Sequence, residues 1–135
     1  MTFTLHPRLA ADTFLVGDLP LCRVLLMNDA NFPWLILVPR QADRREIHEL
    51  AEADQQRLVT EVSLASRQLQ AWAQADKMNV AALGNQVPQL HVHVIARRET
   101  DPAWPRPVWG VLPPDPYPQQ QADTQLAELK ALFEF

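Results

Sequence analysis

The sequence predicts an α+β fold in which an antiparallel sheet carries helices on one face. Four short apolar runs, at residues 21–27, 34–38, 79–83 and 89–95, have the length of strands. The links between these runs are short, except where a long helical segment separates the second run from the third. Strands that precede and follow the main helix, joined elsewhere by short links, favour an antiparallel α+β sheet.

Length, composition and charge restrict the class of protein. With 135 residues, the chain is long enough for one domain with a hydrophobic core. The apolar content of 47% and the charged content of 21% are typical of soluble globular proteins. A net charge of −4 argues against broad binding to nucleic acid or to a membrane surface, because both need an excess of basic residues. A pocket for a small anion remains compatible with this charge.

The chain carries a single cysteine, Cys22, so an internal disulfide is excluded. This thiol is expected to pack in the core rather than to react. No stretch resembles a signal peptide or a transmembrane helix. We therefore expect a cytoplasmic protein without nucleic-acid or membrane partners.

The first strands are predicted to form a hairpin. A first helical turn is expected to lead to Asp12. Two apolar runs, Thr13–Gly17 and Leu21–Met27, follow and are separated by Asp-Leu-Pro, which suits a turn. Residues 28–33 are dense in turn-forming types and lead to Trp34–Val38, whose continuous apolar character indicates a strand buried on both faces.

Two helices are predicted after that strand. Asp43 and Glu46 have the spacing of a capping box, which favours a short helix to about Ala53. A longer helix is expected from Asp54 to Gln74, because its apolar residues repeat at steps of three and four and form one stripe. The members of this stripe are Leu58, Val62, Ala65, Leu69 and Trp72. A strand at Lys77–Leu83 is expected to follow.

The candidate site lies on the run that follows the turn at Gly84–Gln86. From Gln89 to Ile95, polar and apolar residues alternate, which is typical of a half-buried strand. This alternation places Gln89, His91 and His93 on one face. Two imidazoles on one face can act together on a small group such as a phosphate, as nucleophile and as hydrogen-bond donor. A solvated strand histidine is the commoner case, but the pair beside a polar turn favours a site.

A zinc site is the competing interpretation of the two histidines. It would need a third ligand, and Cys22 is the only cysteine in the chain. We therefore expect no metal and no cofactor, and we keep a metal-dependent hydrolase that uses His91 and His93 as ligands only as a distant third alternative.

The run from Gln89 to Ile95, followed by Arg97, resembles the signature of the histidine triad (HIT) family. That signature is His-φ-His-φ-His-φ-φ, where φ is apolar, preceded by a turn of Gly with Gln or Asn and often followed by an arginine. Gln89 stands where the signature has its first histidine. The resemblance extends upstream to the strand Trp34–Arg40 and the long helix, and it covers roughly residues 12–110.

The resemblance implies a HIT-like fold, with an antiparallel sheet of about five strands, a long helix and a C-terminal helix. Proteins of this kind are usually homodimers whose sheets join edge to edge. Residues 1–110 would form the HIT-like domain. Residues 111–135 would form a proline-rich arm and a C-terminal helix, at Thr124–Phe133, packed on the same domain.

The resemblance also implies an activity. A nucleotidyl hydrolase or transferase would act at the α-phosphate of a nucleoside phosphate derivative, such as a dinucleoside polyphosphate or a nucleoside phosphoramidate, through a covalent nucleotidyl-histidine intermediate. The catalytic residues would be His91, His93 and Gln89, and the nucleotide-binding residues would be Asp29, Asn28, Asn79, Asn85 and Gln86. Asp29, with Asn28 as the second candidate, would bind the ribose hydroxyls.

Gln89 keeps other activities open, because glutamine cannot shuttle a proton at neutral pH. The related galactose-1-phosphate uridylyltransferases carry glutamine at a different triad position and transfer the nucleotide instead of hydrolysing it. The resemblance therefore leaves both hydrolysis and transfer open. The alternative from another class is a nucleotide-binding regulatory module with little or no turnover.

The segment after Arg97 has a different composition. Seven of the twelve prolines lie between Pro102 and Pro118, interleaved with Trp104, Trp109 and Tyr117. Proline blocks helix interiors and central strands, so this segment is predicted to be an extended arm. The resemblance implies that a tryptophan of such an arm reaches the partner's nucleotide site in a dimer. Packing on the domain's own surface is the equal alternative.

Overall fold

An open antiparallel sheet of five strands carries the fold in the computed structural model, which describes residues 2–135. The elements follow in the order α1 (Pro7–Asp12), β1 (Thr13–Asp18), β2 (Cys22–Met27), β3 (Trp34–Pro39), α2 (Glu52–Ala73), β4 (Lys77–Ala81), β5 (Val92–Arg97) and α3 (Gln119–Phe133). A single 3₁₀ turn at Ile47–Glu49 lies between β3 and α2.

The strand order is β1-β2-β3-β5-β4, and every neighbouring pair is antiparallel. The prediction of an antiparallel α+β sheet is therefore confirmed. β3 and β5 occupy the interior of the sheet and are buried along their whole length, as the continuous apolar character of β3 indicates. In this register His93 lies between Ile36 on β3 and Ala81 on β4.

The two faces of the sheet are covered by different parts of the chain. One face packs on α2 and α3, whose buried residues include Leu58 and Leu69 from α2 and Leu129 from α3. The opposite face carries a second apolar cluster, to which the N-terminal segment contributes Leu9 and the proline-rich segment at residues 102–118, called the C-terminal arm below, contributes Val108. The two long helices, α2 and α3, therefore cover one face, as predicted, while the short α1 and the arm cover the other face only in part and leave a cleft there.

The predicted strand at Gln89–Ile95 begins later than expected, at Val92. Its partner β4 ends at Ala81, which pairs with His93, so the ladder on that side stops there. The N–H of Leu90 donates instead to the main-chain oxygen of Arg44, at 2.8 Å. The alternation of faces nevertheless continues through residues 90–95, with Leu90 in the helix-side core.

Three further boundaries differ from the sequence prediction. Asp43 adopts a left-handed conformation with a φ of 58°, which an N-cap residue does not have, and the capping box lies instead at Glu46 and Glu49 around the 3₁₀ turn. α3 begins at Gln119, directly after Pro118, and not at Thr124. β4 ends at Ala81 and not at residue 83.

Within residues 2–135, none of the helices combines the length and apolarity that crossing a bilayer requires.

Candidate active site

The histidine pair lies on the face of the sheet opposite α2 and α3. His93 is the second residue of β5, and His91 immediately precedes that strand. Their ring centroids are 4.9 Å apart, and each residue is only 6% exposed. The pairing of β5 with β3 and β4 fixes the direction of the His93 side chain, whose ring packs edge-on against that of His91.

Trp34 fixes the tautomer of His93. The indole Nε1–H of Trp34 donates to Nδ1 of His93 at 3.0 Å within the buried interior. An indole nitrogen only donates, so Nδ1 is the acceptor and the proton of the neutral ring is on Nε2. Burial, together with the neighbouring His91, lowers the pKa of His93 to about 4. His93 is therefore a neutral ring at physiological pH, with an Nε2–H donor.

His91 has the opposite arrangement. Its Nδ1 lies 2.6 Å from the main-chain oxygen of Gln89. A carbonyl oxygen only accepts hydrogen bonds, so Nδ1 carries a proton and the lone pair of the neutral ring is on Nε2. The pair thus combines one nitrogen that can attack an electrophile with one N–H that can donate to it.

A cleft of about 590 Å³ opens beside the two rings. Its walls come from α1, from β2 and β3, from the turn before β5 and from the C-terminal arm. The residues that line it are Arg8, Leu9, Asp12, Met27, Asp29, Trp34, Ile36, residues 83–87, His91, His93, residues 108–110, Leu112 and Pro114. The mixture of apolar walls with a few polar groups is typical of a site for a small organic ligand.

The indole of Trp109 packs edge-on against His93 of the same chain. The centroid of its indole lies 5.1 Å from His93 and 5.8 Å from Trp34. Trp104 lies further along the same face, where the guanidinium of Arg97 is 5.7 Å from the centroid of its ring. Both predicted tryptophans therefore pack on this chain's own surface, and Trp109 contributes to its own cleft.

Three of the predicted nucleotide-binding residues line the cleft. Asp29 is buried, and its Oδ1 accepts hydrogen bonds from the main-chain N–H of Asn31 at 3.0 Å and of Asp115 at 3.2 Å. Asn85 and Gln86 are exposed and stand at the entrance, in the turn that Gly84 starts with a φ of 85°. The structure thus brings an acidic residue and two amides to the same cleft as the histidines.

Asn28 and Asn79 lie outside that cleft. Oδ1 of Asn28 accepts a hydrogen bond from the main-chain N–H of Tyr117 at 2.8 Å, which holds the C-terminal arm on the turn after β2. Oδ1 of Asn79 accepts from Arg97 at 3.0 Å. The same Arg97 is buried and forms an ion pair of 2.7 Å with Asp101.

The side chain of Gln89 is directed to the N-terminal segment. Its Oε1 accepts the main-chain N–H of His6 at 2.8 Å, and its Nε2–H donates to the main-chain oxygen of Thr4 at 2.9 Å. Gln89 and His91 also line a second cleft of about 390 Å³, together with Arg45 and other residues near the 3₁₀ turn.

Several residues of the site were not assigned from the sequence. The indole of Trp34 sets the tautomer of His93, and α1 supplies a wall through Arg8, Leu9 and Asp12. The sequence shows Trp34 as the first residue of an apolar strand, but it does not show the contact with His93, because the two residues are 59 positions apart.

Among residues 2–135, no group of three His, Cys, Asp or Glu side chains is arranged to hold a metal ion.

The comparisons with known proteins identify the family of the chain. The model of the HIT domain family matches residues 8–100. A histidine triad protein from Marinobacter aquaeolei VT8 is 54% identical, with a TM-score of 0.97 over 99% of this chain and 98% of that chain. A histidine triad protein from Bradyrhizobium japonicum is 51% identical, with a TM-score of 0.94 over 97% and 98% of the two chains.

A third histidine triad protein, from Sinorhizobium meliloti 1021, is 50% identical, with a TM-score of 0.92 over 95% of each chain. The comparison with curated protein sequences gave no match. The family model covers more than half of the chain, and the three solved structures share about half of its residues along nearly its whole length. The chain therefore belongs to the histidine triad family.

Proposed function

We propose that the protein is a nucleotidyl hydrolase or transferase that acts at the α-phosphate of a nucleoside phosphate derivative, such as a dinucleoside polyphosphate or a nucleoside phosphoramidate. Membership of the histidine triad family supports a nucleotide as the ligand. The observation that carries the proposal is the complementary pair of tautomers, in which His91 presents a lone pair on Nε2 and His93 presents an Nε2–H. This combination suits covalent catalysis at phosphorus.

In the proposed reaction, Nε2 of His91 attacks the α-phosphorus and the bond from phosphorus to the leaving group breaks. The ring gains positive charge as the nucleotidyl-histidine adduct forms, and the main-chain oxygen of Gln89 stabilises this charge through the Nδ1–H. His93 donates its Nε2–H to a non-bridging oxygen. Water, or the hydroxyl group of another acceptor, then attacks the phosphorus and the bond from phosphorus to Nε2 of His91 breaks. The attacking group loses its proton to the solvent, the nucleotide is released and Nε2 of His91 regains its lone pair.

The cleft supplies the groups that would position the nucleotide. We propose that Asp29 accepts from a ribose hydroxyl through Oδ2, because its Oδ1 already accepts two main-chain N–H groups. Asn85 and Gln86 would donate to phosphate oxygens. Apolar walls around Trp34 would enclose the base. Asn28 would hold the arm and Asn79 would hold Arg97, so both would affect nucleotide binding indirectly.

Gln89 would contribute to the chemistry through its main-chain oxygen. Its side-chain amide has no group that titrates near neutral pH, so it cannot protonate a leaving group. That proton would come from water, from the substrate or from His93. Leaving groups that depart as stable anions, such as phosphates, need the least help of this kind.

We also propose that the protein is a homodimer joined at the edge of its sheets. β4 is the last strand of the sheet, beside an apolar surface where Val80 is 50% exposed and Leu83 is 52% exposed. Light scattering coupled to gel filtration should give twice the mass of the chain, and Val80→Lys should reduce it to the monomer. A monomeric mass for the unmodified protein would contradict a dimer.

Turnover tests the proposed function directly. The purified protein is incubated with adenine and guanine nucleotide derivatives, and the products are separated by chromatography. His91→Ala should abolish product formation, and His93→Ala should reduce turnover by roughly 10²- to 10³-fold, because a donor to the reacting phosphate is lost. Gln70→Ala, on the exposed face of α2, is the control and should retain full activity. Full activity of His91→Ala would end the proposal.

A nucleotide-binding module with little turnover is the second candidate. The observation that favours it is the side chain of Gln89, whose amide is bound to main-chain groups of residues 4 and 6. Calorimetry with the same nucleotides separates the candidates, because tight binding without any product would identify the module.

A further inference from the structure

We infer that Gln89 is a positioning residue, whose side chain fastens the N-terminal segment (residues 2–12) and thereby sets the α1 wall of the cleft. The attachment of the N-terminal segment by Gln89 needs no nucleotide, whereas its consequence for catalysis rests on the proposed function. It assigns to the side chain of Gln89 a role different from that of a proton carrier.

The side chain of Gln89 makes two hydrogen bonds to one extended stretch of main chain. Its carbonyl accepts from the N–H of His6, and its amino group donates to the carbonyl of Thr4. The contacts join residues that are 83 and 85 positions apart in sequence. In the described chain, residues 2–6 form hydrogen bonds to the domain outside α1 through these two contacts.

His6 connects the side chain of Gln89 to α1. It is the N-cap residue of that helix: its Nδ1 accepts the N–H of Arg8 at 3.1 Å, and its main-chain oxygen accepts the N–H of Ala10 at 3.0 Å. The next turn places Leu9 in the apolar cluster beneath the site and Arg8 at the cleft. A helix of six residues is too short to be stable alone, so its position depends on such fastenings.

The chemistry of the amide explains why glutamine fits this position. A primary amide carries an acceptor and a donor on one carbon, so it can bind the N–H and C=O groups of nearby residues on one extended strand. A histidine has its two ring nitrogens on different sides of the ring, and when protonated it has no acceptor. The same position therefore cannot provide this clamp and also carry a titrating proton.

Hydrogen exchange on the free protein tests the clamp without any nucleotide. Gln89→Met keeps the length of the side chain and removes both hydrogen bonds. We expect residues 4–12 to exchange roughly tenfold faster in this variant, because two neutral hydrogen bonds are lost. Gln70→Met is the matched control on the exposed face of α2 and should leave this exchange unchanged.

A second pair of variants tests the same contact from its other side. The φ angle of His6 is −53°, which proline can adopt, so His6→Pro removes the N–H that donates to Gln89 without straining that residue. His6→Ala removes the ring but keeps the N–H. Faster exchange in His6→Pro than in His6→Ala, with a smaller effect of Gln89→Met in His6→Pro than in the unmodified protein, identifies the clamp, because only the hydrogen bond to Thr4 then remains to be lost. Equal exchange in the two His6 variants would overturn it.

The catalytic consequence is measured with adenosine 5′-phosphate aryl esters whose phenols differ in pKa. If Gln89 is a positioning residue, Gln89→Met should raise KM, and the Kd for adenosine monophosphate, by roughly fivefold to tenfold. The dependence of kcat on the pKa of the phenol should not change. A kcat that falls more steeply for the poorer leaving groups, at unchanged KM, would show a proton-carrying role instead and overturn the inference.

The hydrogen-exchange experiment and the kinetic experiment can fail independently of each other. If none of these nucleotides binds or reacts, the proposed function fails, and the exchange experiment still decides whether Gln89 holds residues 4–12. Unchanged exchange in Gln89→Met refutes the clamp even where the protein turns over nucleotides normally.

Discussion

At the scale of the residue, the pair of histidines owes its chemistry to two neighbours that contribute no charge. The indole of Trp34 and the main-chain oxygen of Gln89 each bind an Nδ1, one as donor and one as acceptor. The same residue type therefore has a lone pair on Nε2 in His91 and an Nε2–H donor in His93. The sequence shows two identical side chains, and the structure distinguishes them.

Trp34 provides the first test at this scale. In Trp34→Phe the aromatic packing remains but the donor to Nδ1 is lost, so protonation of His93 becomes easier. We expect its pKa to rise from about 4 by about one unit, measured by nuclear magnetic resonance of the ring nitrogens.

Trp72→Phe is the control for that substitution. Trp72 also donates through its indole N–H, to Glu128 on the helical side of the molecule, so its loss should leave the pKa of His93 unchanged. A pKa of His93 that stays at about 4 in Trp34→Phe would show that burial and the neighbouring His91 set it without the indole.

At the scale of the element, a buried carboxyl group links α2 to the first hairpin. Glu61 is 4% exposed, and its two oxygens accept the main-chain N–H groups of Leu21 at 2.8 Å and Cys22 at 2.7 Å. Burial and the adjacent Glu61 raise the pKa of the Cys22 thiol far above its ordinary range, so this thiol is protonated at neutral pH.

Removal of that carboxyl group should destabilise the protein. Glu61→Ala leaves two buried N–H groups without their acceptor, and we expect the free energy of unfolding in urea to fall by about 1–3 kcal/mol. Glu61→Gln keeps one acceptor and should lose less. Glu99→Gln, in an exposed loop, should change little. Equal stability of Glu61→Ala and the unmodified protein would contradict this role.

Local patterns predict the elements well, because periodicity reports which face of a segment is buried. The hairpin, the buried strand β3 and the long helix α2 lie close to their predicted positions. The errors occur at ends, where tertiary contacts decide. β5 starts at Val92 because its partner β4 ends, and the helix expected after Asp43 is reduced to the single turn Ile47–Glu49.

At the scale of the whole molecule, the buried His93 makes stability depend on pH. Its pKa is about 4 in the folded protein and returns to about 6.5 in the unfolded chain. Between these values the unfolded chain binds a proton that the folded protein does not bind. The contribution of the neutral ring is therefore complete above pH 6.5 and is lost as the pH falls to about 4.

We expect this contribution to steepen acid destabilisation by at most about 1.4 kcal/mol per pH unit. Urea unfolding of the unmodified protein and of His93→Gln, between pH 4 and pH 7, measures it as the difference of the two slopes. His48→Gln, an exposed histidine, should behave as the unmodified protein. Parallel curves for the unmodified protein and His93→Gln would contradict the lowered pKa of His93.

The candidate site was predictable where it depends on one strand and not where it depends on the whole fold. Alternation along residues 89–95 places both histidines on one face, and the structure has them there. The partners of Trp34 and Asn28 could not be found in this way, because these contacts span 59 and 89 positions. Folding brings such residues together, and no local pattern records the pairing.

The most direct test of the account is the mass of the intact protein after brief mixing with adenine and guanine nucleotide derivatives, kept free of acid. We predict a mass increase that corresponds to one nucleotidyl group and disappears in His91→Ala. The increase should persist in variants that retain His91 and its Nδ1 partner. Turnover without any adduct, or an adduct that survives in His91→Ala, would contradict nucleophilic catalysis by His91.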